Sequence, residues 1–375
     1  MIYSNQKLQK NAWPPFTEWL KKIQVPNGRR MLIEDNSKRH RLDLLHILIN
    51  LPYDKPEKMT LRDINERTPL FKDTVNNMGN QQCMLRAIPK NQRLPKLRLS
   101  GRNTHNAINW LKNKKLDEDK YWVEIRPRSK IIKLSAIFII NNNGIWGEIN
   151  EGRLSGLSIG NCQKMPIFFS SNFTNWIFSK HNKYAIKIIK KAVQALKVTH
   201  AKTRSQLKEQ LGSSFNSRKY LRGYFEFMVW PGDKIRFIDY NRIQGRTLAK
   251  FDIWQATKAT ILTRKKPAKI IKGISANSGK YIGKARIVNG TKVPSFQKGE
   301  ILVCTMPTLE YIPYIKKAGA IIMERGTILC HAAIICRELN KPSLIRVKGA
   351  TKKIKTGQMI EVDANKGFVK ILQQH

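Results

Sequence analysis

Two sets of residues stand out for the chemistry that their types and spacing permit. The first lies in "RGTILCHAAIICREL" (Arg325–Leu339), where His331 sits between a glycine-led turn at Gly326 and a stretch with helical texture. An imidazole at the mouth of a helix meets the positive end of the dipole, which favours the neutral ring over imidazolium. A neutral ring nitrogen is the nucleophile that attack on a phosphoryl group requires. The negative charge added by phosphorylation would meet the same helix N-terminus favourably. Ala332 and Ala333 leave space for an incoming phosphate and for docking against a partner domain. Arg337, six residues on, either contacts phosphate or caps the helix end. The plainer alternative is a histidine satisfied within the fold.

The second set lies in "GYFEFMVWPGDKIRFIDYNR" (Gly223–Arg242). The turn signal "PGDK" predicts a hairpin with Gly232-Asp233 as a two-residue loop. That loop pairs Glu226 with Asp239 and Tyr224 with Asn241, and period-two alternation puts Glu226, Asp239 and Asn241 on one face. Like charges directly opposite in a sheet destabilise it, and a cation between them removes the objection. Two carboxylates and a carboxamide make a hard oxygen site suited to Mg²⁺ carrying nucleotide phosphates. The alternative is a solvated face with Arg236 and Arg242 as partners. A loop of another length would shift the register.

The elements that must position these residues can be outlined. With 375 residues the chain has material for two or three domains. Residues 1–80 are expected as a helical or irregular region, with "HRLDLLHILINL" (His40–Leu51) a helix ended by Pro52. Residues 81–250 form the next domain, with strand texture from Cys83 to Gly160 and helix from Asn182 to Leu211. Residues 251–269, ending in "TRKKPAK", make a linker, and 270–375 return to short strands and glycine turns.

Composition narrows the function classes. No early stretch has the form of a signal peptide, and "KIIKLSAIFII" is too short and too charged to span a membrane. The five cysteines are scattered without a CxxC pair, which reads as reduced thiols in a cytosol and makes a zinc site improbable. The net charge of +44 fits a polyanion partner such as nucleic acid. It also fits compositional drift in a chain rich in Lys, Asn and Ile. The even spread of basic residues, and a sequence without a zinc finger or an RNP-like aromatic motif, favour drift plus a phosphate-rich ligand over nucleic acid.

Residues 270–375 resemble the swivelling phosphohistidine domain of the phosphoenolpyruvate-utilising enzymes. The match runs in order through Cys330, His331, Ala332, Ala333, Arg337, Glu338, Leu339 and Pro342, and on into "GQMIEVDANKGFVKI". Two positions depart from the pattern. Thr327 replaces a second glycine and would restrict the turn if φ > 0 were needed there. Leu329 replaces a threonine whose hydroxyl could touch a phosphate or a regulator. Upstream, "FEF…IRFIDYNR" resembles the terminal hairpin of ATP-grasp enzymes, in which acidic residues and an acid-x-Asn hold magnesium. "CMLRAIPK" resembles the strand that presents an arginine, here Arg86, to ATP phosphates. "GIWGEINEG" places Glu148 near the nucleotide. The resemblance therefore implies an α/β (α+β) protein: an ATP-grasp-like nucleotide domain joined by a linker to a swivelling β/β/α phosphohistidine domain. It implies ATP and Mg²⁺ as cofactors and His331 as the phosphoryl carrier. The acceptor is expected to be a small molecule or a domain on another chain, because the pyruvate-binding TIM barrel of those enzymes does not fit in this sequence.

Overall fold

The structure, a computed structural model, describes residues 16–91, 94–95, 97–248, 251–252, 256, 270–290 and 295–372. The expected linker, including the Thr257–Lys269 hinge, lies outside the described residues apart from 251, 252 and 256. The fold is mixed α/β, and the chain gathers into two compact units that each draw on separated segments. One combines residues 1–51, 134–228 and 239–375; the other combines 52–133 and 229–238. Among the described residues no helix is long and apolar enough to cross a membrane.

The smaller unit is built on a four-stranded sheet in the order β1 (Glu57–Thr60), β4 (Tyr121–Pro127), β2 (Gln82–Pro89), β3 (Leu97–Asn103). Its core gathers Met59, Phe71, Leu85, Ile108, Leu111, Val123 and Ile125. The helix Leu61–Asn65 starts there because Thr60 and Asp63 form a reciprocal capping box, each side chain accepting the other's backbone N–H.

In the larger unit, residues 16–49 form three helices: α1 (Phe16–Ile23), α2 (Gly28–Asn36) and α3 (Lys38–Ile49). The helix read from His40 thus begins two residues earlier, and it ends at a left-handed Asn50 before Pro52. A six-stranded sheet follows, ordered β10-β9-β5-β6-β7-β8, of which residues 229–238 are counted with the smaller unit. Its strands are β5 (Leu134–Ile140), β6 (Ile145–Glu151), β7 (Ile167–Ser171), β8 (Trp176–Phe178), β9 (Gly223–Trp230) and β10 (Lys234–Asn241). The single helix expected over Asn182–Leu211 is two, Lys183–Gln194 and Ala201–Leu211. The hairpin expected over 223–241 is present, but its loop is the three residues Pro231–Asp233, with φ of 73° at Gly232 and 56° at Asp233. This corrects the two-residue loop on which the sequence register rested.

Residues 270–372 build an eight-stranded sheet ordered β11-β18-β17-β13-β14-β15-β16-β12. Its strands are β11 (Ile270–Lys272), β12 (Ile274–Asn277), β13 (Lys280–Ile287), β14 (Ile301–Cys304), β15 (Ala320–Met323), β16 (Ser343–Ile345), β17 (Met359–Asp363) and β18 (Phe368–Ile371). The centre is parallel from β13 to β16, and β15 reaches β16 through the helix His331–Glu338. Parallel strands need such a crossover. Strands β14 and β15 are buried along their whole length and accordingly read as unbroken apolar runs, "ILVC" and "AIIM".

Candidate active site

His331 is the first residue of its helix, on the connection that leaves the carboxyl end of β15. Ligands in parallel α/β sheets bind at that edge, where helix N-termini and strand ends converge. Three contacts fix the loop before it. Gly326 has φ of 140°, and a Cβ there would come within 2.7 Å of Ile345. The Thr327 hydroxyl donates to the Leu157 carbonyl at 2.7 Å. The carboxylate of Glu148 on β6 accepts the backbone N–H groups of Ile328 and Leu329, both at 3.0 Å.

These contacts settle the two departures from the family pattern. Thr327 has no positive φ, so the turn needs only one glycine. The Thr327 side chain ties the loop to the helix Ser155–Ile159. Leu329 is fully buried and packs inward. Ala332 and Ala333 are buried as well. Their small size lets the His331 helix lie against β12 and the Ser155–Ile159 helix, which corrects the expectation of open space beside them.

Burial pulls the His331 pKa down to about 4, with opposing smaller effects from Asp35 and Lys38. The ring is therefore neutral near pH 7, as expected, but desolvation is the main cause. The Phe16 ring of α1 packs on the imidazole, with centroids 4.9 Å apart and planes tilted by 33°. Asn27, between α1 and α2, donates to Glu338 at the other end of the same helix.

Glu148 was placed near the nucleotide by resemblance; its carboxylate instead anchors the His331 loop. On β6 it lies between Ile137 and Phe168 in the sheet register. Burial raises its pKa to about 7 against the pull of the two N–H donors. Arg337 also takes a different place. Six residues along a helix is a rise of about 9 Å and about 240° of turn, so it does not share the His331 face. Its guanidinium lies 4.4 Å from the centroid of the Phe251 ring, and its nitrogens are buried without hydrogen bonds to described residues. Burial lowers its pKa to about 10. The catalytic role expected of Arg337 finds no support in this geometry. Arg86, in the smaller unit, lies opposite Glu124 on β4, with charged atoms 4.0 Å apart.

Glu226 and Asp239 do share an environment. Burial raises the pKa of Glu226 to about 7, with the Asp239 charge adding to the shift, and burial also raises Asp239. The Tyr224 hydroxyl donates to Glu226. Asp239 Oδ1 is buried without a hydrogen bond to described residues. An unsatisfied carboxylate oxygen beside a second carboxylate is what a hard cation would complete, so these two residues fit Mg²⁺. Asn241 fits less well, because its side-chain oxygen accepts the Gln244 N–H at 2.8 Å and caps the helix Arg242–Thr247. Among the described residues no three His, Cys, Asp or Glu side chains gather into a metal-binding group.

The neighbours that sequence reasoning missed come from α2 and α3. Arg41 is fully buried, donates to the Tyr240 carbonyl at 2.7 Å and reaches within 3.7 Å of Asp239. Lys38 pairs with Asp35 at 2.8 Å and stands 3.9 Å from Asp239. Glu34 holds the Arg242 side chain at 2.8 Å and its backbone N–H at 2.7 Å. The one available signal was the spacing of Glu34, Lys38 and Arg41, three and four residues apart as on a helical face, although α2 and α3 divide at Ser37. It points to local ion pairs and carries no hint of residues two hundred positions away.

Comparison with known proteins places part of the chain. Residues 296–367 match the family described as PEP-utilising enzyme, mobile domain. The probable phosphoenolpyruvate synthase of Archaeoglobus fulgidus is 40% identical over 101 residues, which is 27% of this chain and 13% of that protein. The phosphoenolpyruvate synthase of Pyrococcus furiosus is 40% identical over 103 residues, 27% and 12% of the two chains, and that of Aquifex aeolicus 42% over 99 residues, 26% and 12%. The chain thus spans about an eighth of these relatives' length. Among solved structures, D-cycloserine synthetase DcsG superposes on 59% of this chain and 67% of its own, at 7% identity and a TM-score of 0.32. The D-alanine-D-alanine ligase of Coxiella burnetii covers 58% and 57%, at 10% identity and 0.29. Overlaps this loose carry no argument. The helix that bears His331 and the strands on either side of it lie within the residues that match this mobile-domain family.

Proposed function

We propose that the protein is an ATP-dependent phosphotransferase of the dikinase type, with His331 as the residue that carries the phosphoryl group. One observation supports this reading above others: a neutral imidazole at a helix N-terminus, on a loop held by Glu148 through two backbone N–H groups. The ring nitrogen attacks the β-phosphorus of ATP, the N–P bond forms, and the P–O bond to AMP breaks with its electron pair going to the AMP oxygen; water then takes the γ-phosphoryl group as phosphate, which leaves the β-phosphoryl group on His331. The helix N-terminus then faces the new negative charge. Glu226 and Asp239 would hold Mg²⁺, which stabilises charge on the transferring group. Arg86 keeps the phosphate-binding role that its strand resemblance implies. The phosphoryl group then passes to a small-molecule acceptor or to an acceptor domain on another chain.

The test uses ATP labelled separately at the β and γ positions. β-label that is acid-labile, base-stable and lost in His331→Ala supports dikinase chemistry. γ-label alone points to ordinary kinase chemistry, and no label on the protein overturns the proposal. A second reading, a nucleotide-binding module without turnover, is favoured by one feature. Phe16 covers the imidazole while Lys38 and Arg41 crowd Asp239. Tight ATP binding with no labelled protein would support it.

A further inference from the structure

The +44 charge is unevenly placed. Residues 163–222 hold thirteen lysines and arginines and a single acid, Glu209. Part of this segment lines an open hollow of about 430 Å³ whose lining includes Phe173, Lys197, Thr199, Arg218, Lys219 and Tyr220. None of these residues belongs to the His331 or Asp239 sites. The aromatic rings stack with centroids 5.1 Å apart. Arg218 lies over Phe173 at 5.8 Å, and Lys197 lies over Tyr220 at 5.6 Å. The lining contains no carboxylate. Two of its members hold a conformation that side chains resist: φ is 74° at Phe173 and 70° at Lys219. For a bulky aromatic residue that is a true outlier, and such strain gathers where a ligand is held.

The pattern recurs close by. Trp176 and Phe178 on β8, the last strand of its sheet, stack at 5.9 Å with planes 9° apart, and Lys190 lies over Trp176 at 5.9 Å. Phe173 and Trp176 are three residues apart, so at most about 11 Å separates them. An isolated anion needs one cationic hollow. A row of ring-and-cation stations suits a polymer that alternates planar groups with phosphates, because cations track the backbone while bases stack on the rings. We propose that this face binds single-stranded nucleic acid, with Lys197, Arg218 and Lys219 on phosphates and Phe173 as a base platform.

The experiment is fluorescence anisotropy of the full chain with a labelled single-stranded RNA oligonucleotide, titrated between about 50 and 200 mM salt. Binding should weaken steeply with salt. Lys197→Ala with Arg218→Ala should lower affinity and make the log-log salt slope shallower by about 1.4, at roughly 0.7 per phosphate on a single strand. Phe173→Ala should lower affinity roughly tenfold with the slope unchanged, which separates stacking from charge. The charge variants alter exposed side chains, so matching circular-dichroism melts confirm that they fold. Four outcomes would overturn the proposal: no binding at low salt, equal affinity for duplex RNA, equal competition by tripolyphosphate or ATP at matched phosphate, or variants that bind as the parent does.

Discussion

The His331 loop and the Glu226–Asp239 pair are both largely desolvated and both carry shifted titrating groups, yet they are built differently. His331 takes its helix, its turn glycine and two small alanines from within a dozen residues, while Glu148, the Leu157 carbonyl and the Phe16 ring reach this segment from far along the chain. The carboxylate pair depends on partners far along the chain: Arg41 reaches Tyr240 across 199 positions, and Glu34 reaches Arg242 across 208. Desolvation also acts on the two in opposite directions. It keeps the imidazole neutral, whereas in the hairpin it favours the protonated forms of the two carboxyls. A histidine at a helix start can thus be specified by a short motif, but the burial that sets its charge, like the charge balance of the hairpin, needs the whole unit.

Five measurements would break or sharpen this contrast. His331→Ala should abolish acid-labile labelling by ATP, while Arg337→Met retains it; loss in both would return Arg337 to the reacting group. Asp239→Asn should slow labelling roughly 10²- to 10³-fold, the scale expected when a charge-stabilising group is removed. An unchanged rate would make the pair purely structural. Glu148→Ala leaves two buried N–H groups without an acceptor, so urea unfolding should show a loss of about 2–4 kcal/mol. A loss under about 1 kcal/mol would mean that water or a repacked loop replaces the carboxylate.

The fourth measurement is the pH dependence of stability, and its sign differs between groups. The folded pKa of His331 lies below its ordinary 6.5, at about 4. The unfolded chain therefore binds a proton that the folded one refuses, and this group removes stability as pH falls from 6.5 toward 4. Glu148 and Glu226 are raised from 4.5 to about 7. The folded chain keeps their protons longer, so their contribution is fully present below pH 4.5 and fades as pH rises toward 7. His331→Asn should flatten the acid limb, and Glu148→Gln should flatten the limb between 4.5 and 7. Parallel curves for parent and variants would contradict both shifts. The smallest effect is expected from Phe16→Ala. Uncovering the imidazole should raise the labelling rate a few-fold, whereas a lower rate would make Phe16 part of the working site rather than its cover.

Much of the His331 half was legible in the sequence. The turn, the helix start and the histidine itself are local features, and residues 296–367 match a known mobile domain. The roles of its departures were not legible. Thr327 reads as a defect until its hydroxyl is seen on the Leu157 carbonyl, and Leu329 reads as a lost hydroxyl until its N–H is seen on Glu148. The hairpin was placed correctly at 223–241, but its loop holds three residues, because "PGDK" does not reveal that Pro231 leaves the strand with Gly232 and Asp233. Residues 34–39 fall in a region expected only to be helical or irregular, and Arg41 in the helix expected from His40; ion pairs spanning two hundred positions leave no periodicity.

By itself the sequence determined a histidine at a helix start, the short strands around it and the acidic hairpin, because each is written in neighbouring residues. Tertiary structure alone decided what surrounds them. It made Glu148 a loop anchor, set Phe16 over His331, brought Lys38 and Arg41 to Asp239, and stacked Phe173 on Tyr220 between two cations. The physical reason is that burial and electrostatic environment are sums over everything nearby in space, and a linear order of residues does not record that proximity.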